Sequence, residues 1–334
     1  MVTMQDVISR ANIEKSLKQA TRGKFKLRPD IIKFMQHKER NINNLVKRLV
    51  TGTYRTGVYK NMKIKDNKRR DVAIPTFRDK LVQYMLINAI LDTYEYRFIK
   101  DSYACIRKRG NHQAVLTLQR YLKQARYFYN GNVYLLKIDI SKFFYTINKY
   151  TLLQRLKLII EDHDVYELCK SIIIGFRITS SIGLPLGNLT SQQFANIYLD
   201  YIDKYIKRTL SIKYYVRYAD DFFLLLPSYS LAKQIKNKII YILTRKLSLS
   251  IHPGKCSIRK IKKIYGLGYK IYSYFKYINN RNKNKFRYYL KHLKLQSLQG
   301  WHSYMRISNS QHWIQDRLVQ YNIILYNNSI IKLR

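Results

Sequence analysis

Two adjacent carboxylates, Asp220 and Asp221, stand inside the run Tyr215-Val216-Arg217-Tyr218-Ala219-Asp220-Asp221-Phe222-Phe223-Leu224-Leu225-Leu226-Pro227. Apolar, aromatic and β-branched surroundings penalise unpaired charge and normally exclude it. A hairpin accommodates the pattern: a strand from Tyr214 to Tyr218, a tight turn at Ala219-Asp220, and a returning strand from Phe222 to Leu226, with both acids presented at the tip. The chain holds 20 Asp and Glu against 63 Lys and Arg, so the compensating groups are Lys or Arg side chains, divalent cations, or both. The tip is a candidate metal site.

The same imbalance bounds the partner. A formal charge of +43 over 334 residues attracts polyanions, and nucleic acid is the default among them. Basic residues run the length of the chain with 31 Tyr among them, so phosphate contacts and base-stacking surfaces can share one groove. A hydrophobic share of 46% is enough for a sizeable core in two or three cooperating lobes. Cys105, Cys169 and Cys256 lie far apart without CxxC spacing, which predicts reduced core residues and neither a disulfide frame nor a zinc site. The first residues lack an apolar signal segment, and no apolar stretch is long enough to span a bilayer. A cytoplasmic protein without a membrane partner is expected.

Periodicity predicts helices over residues 5 to 50, a basic hairpin over 53 to 76 with its turn at Asp66-Asn67, and helices over 77 to 100 and 111 to 127. A buried strand from Val133 to Ile138 leads into Asp139. Helices follow over 149 to 174 and 189 to 210, then the Asp-Asp hairpin, a helix from Ser230 to Leu247, and a basic, helical end beyond Asn279 containing Trp301 and Trp313. Such mixing of helices with antiparallel strands indicates an α+β fold.

Two further constellations bear on the acids. In Leu135-Leu136-Lys137-Ile138-Asp139-Ile140-Ser141-Lys142-Phe143-Phe144 an acid again follows an apolar strand, which places Asp139 at the carboxyl end of that strand, level with a neighbouring hairpin tip. Three converging carboxylates suit a pair of divalent ions about 4 Å apart, of which one activates a hydroxyl and the other stabilises a leaving oxygen. Mg²⁺ fits best, since it takes a few carboxylates together with phosphates and water. The segment Gly183-Leu184-Pro185-Leu186-Gly187-Asn188-Leu189-Thr190-Ser191-Gln192 reads as a loop entering a helix, with glycines that let the backbone approach a flat ligand and Asn188, Thr190 and Ser191 offering caps and polar contacts.

Taken in order, these elements resemble reverse transcriptases of the bacterial type, over roughly residues 55 to 275. Arg70 through Pro75 to Gln83 resembles the fingers segment, Ser102-Tyr103-Ala104-Cys105 the block after it, and Lys137 to Phe144 the first palm motif. Gly183 to Gln192 is similar to the second palm motif, Tyr218 to Asp221 to the Tyr-x-Asp-Asp motif, His252-Pro253-Gly254-Lys255 to the Lys-bearing motif, and Tyr265-Gly266-Leu267-Gly268-Tyr269 to the primer grip. The family usually has Arg after the Ser102 block; here Ile106 stands there, leaving Arg107 or Arg109 to take over its contact. Ser191-Gln192 resembles diversity-generating retroelement enzymes and some defence-associated relatives, whereas group II intron and retron enzymes usually carry Ser-Pro.

The resemblance implies a right-hand polymerase: an N-terminal helical segment (1–52), fingers (53–132), a palm with an antiparallel sheet (133–275) and a basic helical thumb (276–334). It implies that Asp139 and Asp220 ligate two Mg²⁺ ions with the assistance of Asp221. Arg70, with Lys63 or Lys65, would grip the triphosphate of the incoming deoxynucleotide. Phe144, five residues after Asp139, would sit under its sugar and exclude a 2′-hydroxyl. Leu186 would line the nascent pair, with Gln192 closing the same motif, and Lys255 would be either a proton donor to pyrophosphate or a phosphate contact. The implied partners are a template or noncoding RNA, the RNA–DNA duplex, and an accessory protein or second polymerase subunit that would supply any endonuclease or RNase H activity. A catalytically silent RNA-binding scaffold and an untemplated terminal transferase are the competing readings.

Overall fold

The computed structural model describes every residue except 24–27, 66–68, 177–180, 327–328 and 333–334; the expected Asp66-Asn67 turn lies outside the described residues. The chain divides into two compact units, each assembled from separate stretches. The first comprises Met1–Lys100, Ile140–Thr209 and Ile239–Ile251, and the second Asp101–Asp139, Leu210–Lys238 and His252–Arg334.

The first unit opens with helices α1 (Met4–Ile8), α2 (Arg10–Ala20), α3 (Pro29–Gln36) and α4 (Lys38–Val50), followed by strands β1 (Lys60–Lys65) and β2 (Arg69–Ile74) and helix α5 (Phe77–Tyr94). The expected helical stretch from 5 to 50 is thus four helices, broken where Ser9 accepts a capping bond from Asn12 N and where His37 leaves helical geometry. Helix α5 is buried over most of its surface, with Leu81, Val82, Met85, Leu86 and Ile90 all enclosed together with the polar Asp79, Gln83 and Asn88, and such a helix belongs at the centre of a core. Thr76 starts it by accepting from Asp79 N. Tyr94 at its far end donates to Asp200 Oδ2 at 2.9 Å.

Helix α6 (Asn111–Phe128) and strand β3 (Tyr134–Asp139) belong to the second unit. The chain then returns to the first with α7 (Phe143–Thr146), α8 (Lys149–Lys157), α9 (His163–Gly175) and α10 (Leu189–Lys204). The helix expected over 149–174 breaks between α8 and α9 because Asp162 caps a new start, accepting from Val165 N at 2.9 Å. Helix α10 ends at Lys204 and passes into a π turn, Tyr205–Thr209.

Strands β4 (Tyr215–Tyr218) and β5 (Asp221–Leu226) follow, then helix α11 (Tyr229–Leu247) and strand β6 (Ser257–Lys260). The sheet order is β4-β5-β3-β6, antiparallel throughout. Residues Phe222 to Leu226 are all buried, as a central strand covered on both faces requires. A second antiparallel sheet consists of β7 (Ile264–Gly266), β8 (Tyr269–Ile271) and β9 (Lys276–Ile278). Helices α12 (Asn280–Lys291), α13 (Leu295–Met305) and α14 (Gln311–Val319) complete the basic C-terminal stretch. Phe223, Leu225, Ile264, Tyr269, Phe286, Leu298 and Ile314 share one continuous core. The expected all-helical end instead finishes in a hairpin of β10 (Ile323–Tyr326) and β11 (Ser329–Lys332). The cysteines also depart from expectation: Cys169 alone is buried, Cys256 is partly buried and Cys105 is exposed, although all three are free thiols.

Candidate active site

Four of the residues singled out above, Asp139, Asp220, Asp221 and Lys255, lie in the second unit. The β3–β5 register runs Leu136 opposite Leu224, Lys137 opposite Phe223 and Asp139 opposite Asp221. Directly opposed residues of an antiparallel pair stand about 5 Å apart, so two carboxylates meet at the carboxyl end of β3. Tyr218 pairs with Asp221, which leaves Ala219 and Asp220 as a two-residue loop with Ala219 in the left-handed region at φ 54°. This corrects one expectation. Asp220 alone occupies the tip, and Asp221 is the first residue of β5 because its backbone pairs with both neighbouring strands.

Lysines balance two of the acids. Lys255 Nζ contacts Asp139 Oδ2 at 2.6 Å, and Lys137 Nζ stands 3.4 Å from Asp221 Oδ1 while also covering the Phe223 ring. The one-turn helix Pro253–Lys255 that carries the first of these is pinned to the same strand end, since His252 N donates to the Asp139 carbonyl at 2.9 Å. Among the described residues Asp220 has no ion-pair partner. Burial, together with the negative charges of Asp221 and Asp139, pushes its carboxyl up to about 6. Burial also raises Asp221, against the opposing charge of Lys137. The hydrogen bond with Asp139 raises Lys255 and keeps its ammonium charged.

Among the described residues no group of three His, Cys, Asp or Glu side chains already stands in metal-ligating geometry; Asp139 is engaged by Lys255 instead. The donor set nonetheless fits a small hard cation. It consists of carboxylate oxygens, Asp221 Oδ1 is buried against the Lys137 ammonium, and burial disfavours the charges on Asp220 and Asp221. Mg²⁺ needs only one or two carboxylates when water and phosphate complete its shell.

Sequence reasoning passed over Arg217. It is fully buried in β4 and donates from Nη1 to the Ala219 carbonyl at 3.1 Å, bracing the loop that carries Asp220. Its backbone is tied on both sides to the Ser102 block: Arg217 N donates to the Asp101 carbonyl at 2.9 Å, and Tyr103 N to the Arg217 carbonyl at 3.1 Å. A charged residue inside the otherwise apolar run Tyr214 to Tyr218 was the available signal. Arg109 Nη1 donates to the Ser102 carbonyl at 2.9 Å, tying that arginine back to the block that precedes Ile106.

The remaining singled-out residues belong to the first unit. Strands β1 and β2 set Lys63 opposite Asp71, Ile64 opposite Arg70 and Lys65 opposite Arg69. Successive strand residues alternate faces, so the register places Lys63 and Arg70 on opposite faces of the hairpin rather than together. Lys63 and Leu186 instead line a common cleft of about 1250 Å³ with Tyr59, Tyr145 and Arg55. The loop carrying Leu186 is stitched to β2, with Ala73 N donating to the Leu186 carbonyl and Asn188 Nδ2 to the Ala73 carbonyl, both at 3.2 Å. Asn188 therefore braces the loop instead of capping α10 with its side chain. Of the two phenylalanines, Phe143 is core and Phe144 is half-buried, its carbonyl accepting from Leu184 N. Gln192 sits half-buried in the first turn of α10.

Residues 58–271 match the family Reverse transcriptase (RNA-dependent DNA polymerase). The chain is 30% identical over 178 residues to the group II intron-encoded protein LtrA of Lactococcus lactis subsp. cremoris, a stretch covering 50% of this chain and 28% of LtrA. It is 28% identical over 160 residues to the protein YkfC of Escherichia coli, covering 44% of this chain and 40% of YkfC. The chain thus spans less than half the length of these relatives. Telomerase from Candida albicans, solved in complex with a TWJ fragment of telomeric RNA, superposes with a TM-score of 0.51 and 13% identity over 75% of this chain and 52% of that one. The fold is that of a right-hand polymerase, α+β with an antiparallel sheet, as the order of motifs implies. No helix among the described residues is long and apolar enough to cross a membrane. With the matched stretch covering most of its length, the chain belongs to the reverse transcriptase (RNA-dependent DNA polymerase) family.

Proposed function

We propose that this chain is an RNA-directed DNA polymerase that extends a primer with deoxynucleotides on a dedicated template RNA. The observation carrying the reading is the pairing of Asp139 with Asp221 across β3 and β5, with Asp220 beside them on a braced two-residue loop. Asp139, Asp220 and Asp221 would hold the divalent ions. Bound there, Mg²⁺ supplies activation of the primer 3′-hydroxyl and neutralisation of the leaving pyrophosphate. The chain's own groups do the rest. Lys255 keeps a proton on Nζ and its side chain is 45% exposed, so it can give that proton to pyrophosphate. Lys63, which lines the cleft with Leu186, is assigned a charge-assisted contact to the triphosphate, and Arg70, on the other face of the hairpin, is not. Phe144 is assigned the exclusion of a ribose 2′-hydroxyl, with Leu186 against the nascent pair. We assign 1–52 as the N-terminal segment, 53–132 as fingers, 133–275 as palm and 276–334 as thumb. In the thumb, Lys283 and Arg287 flank Trp313 at 4.9 and 5.5 Å from its ring and would follow a duplex backbone.

Primer extension on a homopolymeric RNA with Mg²⁺ tests the reading. Template-dependent product, lost in the Asp220→Asn, Asp221→Asn double variant, is expected. RNA binding without product in either protein would overturn it in favour of a silent scaffold, and product without template in favour of a terminal transferase.

Within the family, Ser191-Gln192 favours a diversity-generating retroelement, in which the enzyme copies a template repeat mutagenically with an accessory protein. Template and variable repeats beside the gene are the expected neighbourhood. A lone structured RNA or a second polymerase gene in their place would point to cDNA synthesis in antiviral defence.

A further inference from the structure

We infer that the β8–β9 hairpin is a stacking platform for unpaired bases of single-stranded RNA. This deepens the polymerase reading by assigning where unpaired parts of the template RNA are held. Tyr269, Ile271 and Ile278 bury the inner face of these strands, so the alternate residues point away from the core. On that outer side the rings of Tyr272 and Phe275 lie 4.7 Å apart and those of Phe275 and Tyr277 5.6 Å apart. Cross-strand aromatic pairs of this kind stabilise a hairpin and alone call for no ligand.

Tyr274 is different. Tyr272 N donates to the Phe275 carbonyl, leaving Ser273 and Tyr274 as the hairpin loop, and Tyr274 is 74% exposed at the tip, where small polar residues and glycine are favoured. Among the described residues its ring meets no other ring. The Lys123 ammonium stands 4.8 Å from its centroid. A cation over one face leaves the other open to a base, with positive charge at hand for the adjoining phosphate. Lys263 adds a second ammonium on this hairpin, 5.4 Å from the Tyr272 ring.

Charge selects the occupant. No Asp or Glu occurs between Asp221 and Asp316, so the chain segment that carries the hairpin contributes basic residues and no acidic ones. Protein interface cores are depleted in lysine, whereas here lysines sit against the rings. Bases in a duplex present no free face, so the occupant is a single strand.

The test uses the full chain and a labelled mixed-sequence single-stranded RNA of roughly 16 nucleotides, followed by fluorescence anisotropy. Tyr274→Ala should weaken binding by about fivefold or more, the lower end of what one stacked base supplies. Tyr274→Trp should retain it, and Lys123→Gln should flatten the dependence on salt. Affinity for an RNA–DNA duplex and extension of a short primer on a homopolymer should stay unchanged in the Tyr274 variants. Unchanged single-strand affinity in Tyr274→Ala would overturn the inference, as would equal losses on single strand and duplex, or loss in Tyr274→Trp as large as in Tyr274→Ala. Self-association of the wild type that Tyr274→Ala abolishes would show a protein contact instead. The two readings fail separately: absent extension in the wild type removes the polymerase, while unaltered RNA binding in the variants removes the platform alone.

Discussion

Replacing Asp220 with Asn should make the metal-free protein more stable while abolishing polymerisation. The Asp220 carboxyl is raised from an ordinary 3.8 to about 6 by burial and by its acidic neighbours. At about 1.4 kcal/mol per pH unit, that displacement corresponds to roughly 3 kcal/mol of penalty on the ionised native state. Asp220 is half-buried rather than enclosed, and solvent screening reduces this to about 1–2 kcal/mol. The sign follows from proton linkage. Between 3.8 and about 6 the folded chain binds more protons at this site than the unfolded chain, so stability falls as pH rises through that window and stays lowered above it. Asn carries no charge and escapes the loss. Thermal unfolding in EDTA at pH 7.5 should show the variant about 2–4 °C above wild type, with the gain roughly halved at pH 5. Mg²⁺ should then raise the wild type and leave the variant nearly unmoved. A variant less stable than wild type at pH 7.5, or one whose gain ignores pH, would refute the claim that clustered, desolvated charge strains this site.

The bracing of the loop carries its own expectation: Arg217→Met leaves the Ala219 carbonyl without its donor, a loss of about 1–3 kcal/mol readable by urea unfolding, and kcat should fall more than KM changes. Arg217→Lys should not rescue it, because an ammonium cannot reproduce a planar fork. A Cβ on Gly187 would stand 2.6 Å from Val72 Cγ1 at a φ of 95°, so Gly187→Ala should cost about 1–3 kcal/mol, and adding Val72→Ala should recover only the steric part in denaturant titrations. If Phe144 excludes the 2′-hydroxyl, Phe144→Ala should raise the ribonucleotide-to-deoxynucleotide ratio of kcat/KM by about tenfold or more, measured by single-nucleotide incorporation.

The acidic centre was legible because its signal is local. An apolar run bounded by an acid fixes a strand and its end, and the two runs pair in a register that buries Leu136, Leu224 and Phe222 together. The role of Arg217 was not legible: a charge inside an apolar run marks it, but its guanidinium donates to the Ala219 carbonyl and its backbone to that of Asp101, and no pattern within β4 announces either partner. The same holds for Lys63 and Arg70. Proximity in sequence suggested a shared role, but the pleat of β1 and β2 puts them on opposite faces. The break between α8 and α9 was recoverable, because Asp162 three residues before Val165 is a cap signal that apolar periodicity overrode. The terminal hairpin of β10 and β11 had only short apolar runs to mark it, which do not separate strand from helix.

The distribution of charge makes the centre's design intelligible. A chain this basic can neutralise any acid it buries, and it does so for Asp139 through Lys255 and for Asp221 through Lys137. Among the described residues Asp220 has no ion-pair partner, and it sits on a tight loop that Arg217 braces through the Ala219 carbonyl. Among 63 basic residues, withholding a partner from one desolvated acid is the feature that needs explaining. A lysine salt bridge there would quench the site's remaining negative charge. Asp220 keeps a net attraction for a divalent cation while Lys255 and Lys137 oppose the charges of the other two acids, so the strain of clustered carboxylates and their affinity for metal have the same electrostatic origin.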